Sequence, residues 1–307
     1  MPSTRVLIFR PAAAAAWAVA VLLVASPGAQ AAAIAWSGGT STAWNNTANW
    51  GGTALPGSGD SAEFNAATAY ANQPTINAGS LSVGEIWEAP GLGQNVTIGA
   101  DAGADPLTLK GVSGMGIEMD AAGANLTLSA PVALGGAQTW LNNGGTLNAG
   151  KVADGGYTLT AAGSGASRIS GSLSGSGGLI KSGAGTLTLT ATNTYQGGTT
   201  LSSGTLNINS NVALGSGALT IDGGTIDATA AGVILSTGNL NWNGSFAFGG
   251  TNALDLDADT VTLGGSCTLT TGGSGALTVG GGISDLGKGY SLTKAGTGTL
   301  TLAALNT

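Results

Sequence analysis

The chain has 307 residues, 56 of them glycine, with 7% charged residues, no histidine and one cysteine. Without histidine there is no Ser-His-Asp triad, Cys-His pair or His-ligated zinc, and a single cysteine leaves neither a Cys-rich metal site nor an internal disulfide. A net charge of −7 with only eight basic residues provides no phosphate-tracking groove, which argues against a nucleic-acid partner.

Residues 1–31 read as a Sec-type signal peptide. Arg5 and Arg10 form a basic start, residues 12–25 are an unbroken apolar run, and Ala29-Gln30-Ala31 offers small residues for cleavage. A transmembrane anchor is the competing reading, but the run is shorter than the ~20 residues a spanning helix requires. Removing this segment leaves 15 acids against six bases, a balance that keeps an edge-rich β protein soluble.

Residues 32–110 are expected to cap a repeat structure and to supply its first turns. Trp36, Trp44 and Trp50 lie close together here. They have two readings: an aromatic lid over the open end of the core, or exposed rings that stack on sugars. The acids Glu85 with Glu88, and Glu118 with Asp120, are the nearest pairs available for glycoside hydrolysis, which needs two facing carboxyl groups. No acid recurs at the repeat spacing, so solvated turn positions are expected for them. Asn45, Asn95, Asn125 and Asn243 open N-x-S/T sequons, read as chance in a Thr-rich chain.

Residues 111–307 repeat themselves. LIKSGAGTLTLTATNT at 179–194 matches LTKAGTGTLTLAALNT at 292–307 in eleven of sixteen positions, and GSGALTI at 215–221 matches GSGALTV at 273–279. GTLTL, GTLNI and GTID begin at Gly185, Gly204 and Gly224. Inside each phrase, Leu alternates with Thr, which is the pattern of a half-buried strand, and glycines bound every strand as turn residues. A period of about 20 residues with parallel stacking at ~4.8 Å predicts a β-solenoid of about 13 turns. Leu187, Leu206 and Ile226 are expected to form one inner ladder. A β-sandwich, with strands every 8–12 residues, is the weaker alternative because the phrases recur in sequence as well as in pattern. Trp140 and Trp242 are expected in the core or in spacers, and Cys267 as a small buried residue rather than one half of an intermolecular disulfide.

Asp255, Asp257 and Asp259 in LDLDADT are expected to line one strand face, as a weak calcium candidate. Lys181 and Lys294 fall at the same place in the two long phrases and read as turn or edge charges that discourage sheet association. No catalytic residue and no cofactor is expected.

Residues 178–208, GLIKSGAGTLTLTATNTYQGGTTLSSGTLNI, resemble the autotransporter-associated β-strand repeat, also called the passenger-associated transport repeat. The residues that carry the resemblance are Leu179, Lys181, Gly183, Gly185, Leu187, Leu189, Asn193, Tyr195, Gly198 and Leu206, with Lys294, Leu300 and Leu302 in a truncated copy at 292–307. The resemblance implies a right-handed parallel β-helix. It also implies a secreted or surface-displayed passenger of a Gram-negative-type bacterium, with a repeat that supports export and has no catalytic role. Because the second copy breaks off, the chain is expected to be the N-terminal part of a longer protein whose outer-membrane anchor or barrel lies beyond it. A structural or adhesive passenger is therefore the leading expectation, with an extracellular polysaccharide or a host or neighbouring cell surface as partner. A carbohydrate-binding or matrix protein using the N-terminal tryptophans comes second, and a β-helical polysaccharide lyase or hydrolase third.

Overall fold

The computed structural model describes residues 32–307 apart from Thr53, Ala78, Ser236, Leu305 and Thr307. The signal-peptide reading of residues 1–31 lies outside them. The described chain is a parallel β-solenoid with three strand-bearing sides and one short 3₁₀ turn. The first side is a twelve-stranded sheet running from Ala33–Ala35 to Ile283–Ser284, and the second an eleven-stranded sheet from Thr75–Ile76 to Leu292–Ala295. The third side is split into a five-stranded sheet (Leu81–Val83 to Leu173–Ser174) and a four-stranded one (Val233–Ile234 to Leu300–Leu302). Every pairing between named strands is parallel, with strands of two to five residues.

Two-residue alternation places the apolar residues inside. On the second side, the ladder Val96, Leu126, Leu147, Ser167, Leu187, Leu206, Ile226, Phe248 runs through eight turns, and Leu189 stacks on Ile208 beside it. The expected Leu187–Leu206–Ile226 ladder is therefore present, and its members are almost wholly buried. The outward Thr186, Thr205 and Thr225 stack in turn, where β-branched side chains suit the pleat. No turn buries an apolar face alone; each covers its neighbour.

Turn length is not uniform, and this corrects the expected 13 turns to twelve strands on the longest side. Leu159, Leu179, Thr199 and Leu219 follow one another at steps of 20 residues. Nearer the N-terminus, Ser61 pairs with Glu85 and Ile86 with Ile117, so those turns hold longer loops. Trp140 and Trp242 are core residues in the inner column of the first side, and Cys267 is buried with a free thiol. Between the two sheets of the third side, residues 190–198 and 209–218 carry no strand. Asn193 joins the turns there. Its Oδ1 accepts from the Leu173 amide at 2.7 Å, one turn before, and its Nδ2 donates to the Ala213 carbonyl at 2.6 Å, one turn after. Tyr195 is fully buried, with its hydroxyl against that of Thr199.

The N-terminal end is closed by aromatic packing. Trp36, Trp44 and Trp50 are each 1% exposed. Their centroids lie 4.7 Å (Trp44–Trp50), 4.8 Å (Trp36–Trp50) and 6.4 Å (Trp36–Trp44) apart, and Trp50 meets Phe64 edge-on at 6.3 Å. These are ordinary attractive aromatic separations. Asn49 is fully buried at the centre of the lid. Its Oδ1 accepts from the Thr40 amide and hydroxyl and the Ser41 amide, while its Nδ2 donates to the Ser41 hydroxyl and the Ala43 carbonyl. The sugar-stacking reading of Trp36, Trp44 and Trp50 is thereby corrected: the rings face one another and Phe64, with no free face for a ligand. Trp50→Ala is expected to cost about 3–5 kcal/mol, as for other buried aromatic truncations. Urea denaturation of the purified chain measures this, and a loss below about 1 kcal/mol would contradict the capping role.

Candidate functional site

Long N-terminal turns bring distant acids together. On the first side, Ser61–Phe64, Glu85–Glu88 and Met115–Met119 are adjacent parallel strands. Their registers stack Glu63, Trp87 and Glu118 in one column, on the side of the pleat opposite the buried Ile86 and Ile117. All four glutamates of the chain lie between positions 63 and 118, on these three strands. Trp87 donates from Nε1 to Asp120 Oδ2 at 3.4 Å, and the Ser61 hydroxyl donates to Glu85. Of the six described tryptophans, five are buried and Trp87 alone is half-exposed.

Partial burial pushes the Glu85 carboxyl upward, opposed by the Ser61 hydrogen bond. Glu118 is also raised, chiefly by desolvation, then by the negative charges of Asp120 and Glu85. A half-buried tryptophan flanked by carboxylate acceptors on an outer strand face suits hydroxyl-rich or cationic groups. The cluster went unseen in the sequence because its members are 24 and 31 residues apart, off the 20-residue period. The available signal was the crowding of every glutamate into one short region.

Glu88 is a different case. It points inward between Phe64 and Met119 in the same column, fully buried, and neither carboxylate oxygen has a hydrogen-bond partner. Burial pushes its pKa up to about 7. A folded-state pKa above the ordinary 4.5 means that ionisation opposes folding. The penalty begins near pH 4.5 and is complete above about pH 7. Glu88→Gln should remove this slope, gaining about 3 kcal/mol relative to the native chain at pH 8.5 over its difference at pH 4. Urea midpoints at the two pH values check this, and parallel pH profiles for the two proteins would refute it.

The remaining sequence candidates are placed as follows. The expected row of Asp255, Asp257 and Asp259 is corrected: the strand Leu254–Asp255 stops at Asp255, and Asp257 has φ of +49° in a turn. Asp255 Oδ1 accepts from the Asp257 amide, while Asp259 Oδ2 accepts from the Thr237 amide of the preceding turn. The three therefore share no face. Among the described residues no group of three or more acid, Cys or His side chains is arranged to hold a metal ion.

Lys181 is likewise corrected. It is no edge charge but a buried residue, 2% exposed, and Nζ donates to the carbonyls of Ser182 (2.7 Å), Gly183 (2.9 Å) and Ser203 (3.2 Å). Burial pushes its pKa down to about 8. Lys294 is exposed and donates to the Gly296 carbonyl at 2.6 Å. The two lysines also stand on different sides. Leu179–Lys181 belongs to the first sheet, whereas Leu292–Ala295 belongs to the second and Leu300–Leu302 to the third. Gly198 keeps a positive φ of +81° at the bend before Thr199.

The fold defines a parallel β-solenoid repeat protein. Its repeats are of the passenger-associated-transport-repeat kind, whose family model matches residues 179–208 and 292–307. A segment of 90 residues, 29% of the chain, is 39% identical to the adhesin BmaC autotransporter of Brucella suis biovar 1 (strain 1330) and spans 2% of that protein. No solved structure matches the chain. The two matched segments thus resemble the passenger-associated transport repeat, and the chain is similar over a short stretch to a far longer adhesin.

Proposed function

We propose that this chain is part of a secreted or surface-displayed passenger, a stiff non-catalytic rod that carries an adhesive contact away from the cell. The observation that carries the reading is the repeat itself: a match to the transport-repeat family lying within an unbroken stack of parallel turns. Similarity to a protein named as an autotransporter adhesin supports it. Twelve stacked strands extend about 50 Å at ~4.8 Å per turn, a geometry suited to spacing and display. A stack that adds one turn at a time also suits export of an unfolded chain, since each arriving turn finds a formed template.

The contact surface we assign is Trp87 with Glu63, Glu85, Glu118 and Asp120, and the ligand class is a glycan bearing hydroxyl or amino groups. The half-exposed Trp87 supports this, because it takes over the role that the sequence offered to the buried Trp36, Trp44 and Trp50. The carboxylates lie on an outer strand face around this ring, where they serve as acceptors rather than as an acid and base across a substrate. Display is tested by antibody labelling and protease shaving of intact cells; a chain found only inside the cell would sink that part. Contact is tested on a glycan array with Trp87→Ala, which should weaken binding at least tenfold, ~1.4 kcal/mol. Equal binding by the native and Trp87→Ala chains would remove Trp87 from the contact.

A further inference from the structure

The inner column of the first side reads Ile86, Ile117, Trp140, Ala161, Lys181, Leu201, Ile221, Trp242. A lysine occupies the centre of an otherwise apolar ladder. We propose that Lys181 sets register, permitting one alignment of its turn on the next and penalising the others.

The need arises from the repeat. The turns that begin at Gly185, Gly204 and Gly224 are near copies, GTLTL, GTLNI and GTID. A slip of two residues still places inward side chains against inward ones, so apolar stacking discriminates weakly. The ammonium group discriminates strongly. Its three protons meet three carbonyls, two from its own bend (Ser182 and Gly183) and one from the following turn (Ser203). The backbone repeats the link, with the Ser202 amide donating to the Lys181 carbonyl at 2.9 Å. Space is matched as well. A Cβ at Gly204, which has φ of +71°, would lie 2.5 Å from Lys181 Nζ, 2.3 Å from the Gly183 oxygen and 2.4 Å from the Gly185 oxygen. Ala161 is the small residue on the opposite side of Lys181 in the ladder. In a slipped pairing the ammonium keeps its place in the core but loses the Ser203 carbonyl and the room that Gly204 provides. A buried cation without its acceptors is strongly disfavoured.

Lys294 shows the same motif position: Nζ reaches the carbonyl of Gly296 in its own bend, as Lys181 reaches that of Gly183, and among the described residues it makes no bond to another turn. A buried polar group that fixes register costs stability relative to an apolar replacement. The motif lysine is thus a specificity device in an apolar column. The inference rests on the solenoid and stands apart from the adhesive reading.

The test traps register with disulfides in the full chain carrying Cys267→Ala. Thr188 and Asn207 are outward partners on adjacent turns, so Thr188→Cys with Asn207→Cys reports the native alignment. Thr186→Cys with Asn207→Cys reports a two-residue slip. Each pair is oxidised after refolding from urea, with Lys181 intact, with Lys181→Met, and with Lys294→Met as control. Lys181→Met is expected to raise the slipped fraction at least fivefold, with a urea midpoint equal to or above that of the native chain and no change for Lys294→Met. A Lys181→Met chain that keeps native register, or that fails to fold at all, overturns the proposal, since the first shows that register is set elsewhere and the second that the lysine is needed for stability.

Discussion

Parallel pairing between successive turns is the constraint on which everything else depends. Backbone hydrogen bonds hold neighbouring turns ~4.8 Å apart, so each side chain stacks on its counterpart one turn away. The consequences follow by column. Leu on Leu makes a core with no single centre, and Thr on Thr makes an outer face. A residue unlike its column stands out at once, as Lys181 does between Ala161 and Leu201, and as Glu88 does between Phe64 and Met119.

A stack has ends, and the aromatic lid answers that problem at the N-terminus. Three tryptophans and Phe64 cover the first turns, and Asn49 supplies the hydrogen bonds that an irregular buried loop otherwise lacks. The same region holds the half-exposed Trp87 and its acids. Cap and candidate contact are thus neighbours, both in turns that depart from the 20-residue length. The regular turns form the uniform stack, and the irregular ones hold the Trp87 cluster, which matches the general placement of function on loops and insertions of a rigid scaffold.

Polar residues inside the stack act on alignment. Asn193 bridges the turn before and the turn after at the point where the third side loses its strands. Lys181 bridges its own bend and the next turn on the first side. Both belong to the motif shared with the transport-repeat family, alongside glycines at bends where a side chain would strike a neighbouring turn. A motif that reads as a list of consensus letters is, in three dimensions, a set of inter-turn bonds.

The sequence by itself determined the class of fold, the inner ladder Leu187–Leu206–Ile226 and the location of the repeats. These depend on two-residue alternation and on a spacing that survives in the letters. Only the tertiary structure decided which side each phrase occupies. GSGALTI ends in a strand of the first sheet and GSGALTV in one of the third, and Lys181 is buried while Lys294 is exposed. The reason is that a strand's side is set by the summed lengths of all preceding bends and loops, whereas a phrase records only its local alternation. The same reason hid the Glu63–Trp87–Glu118 column, whose members meet because two unequal turns happen to bring them level.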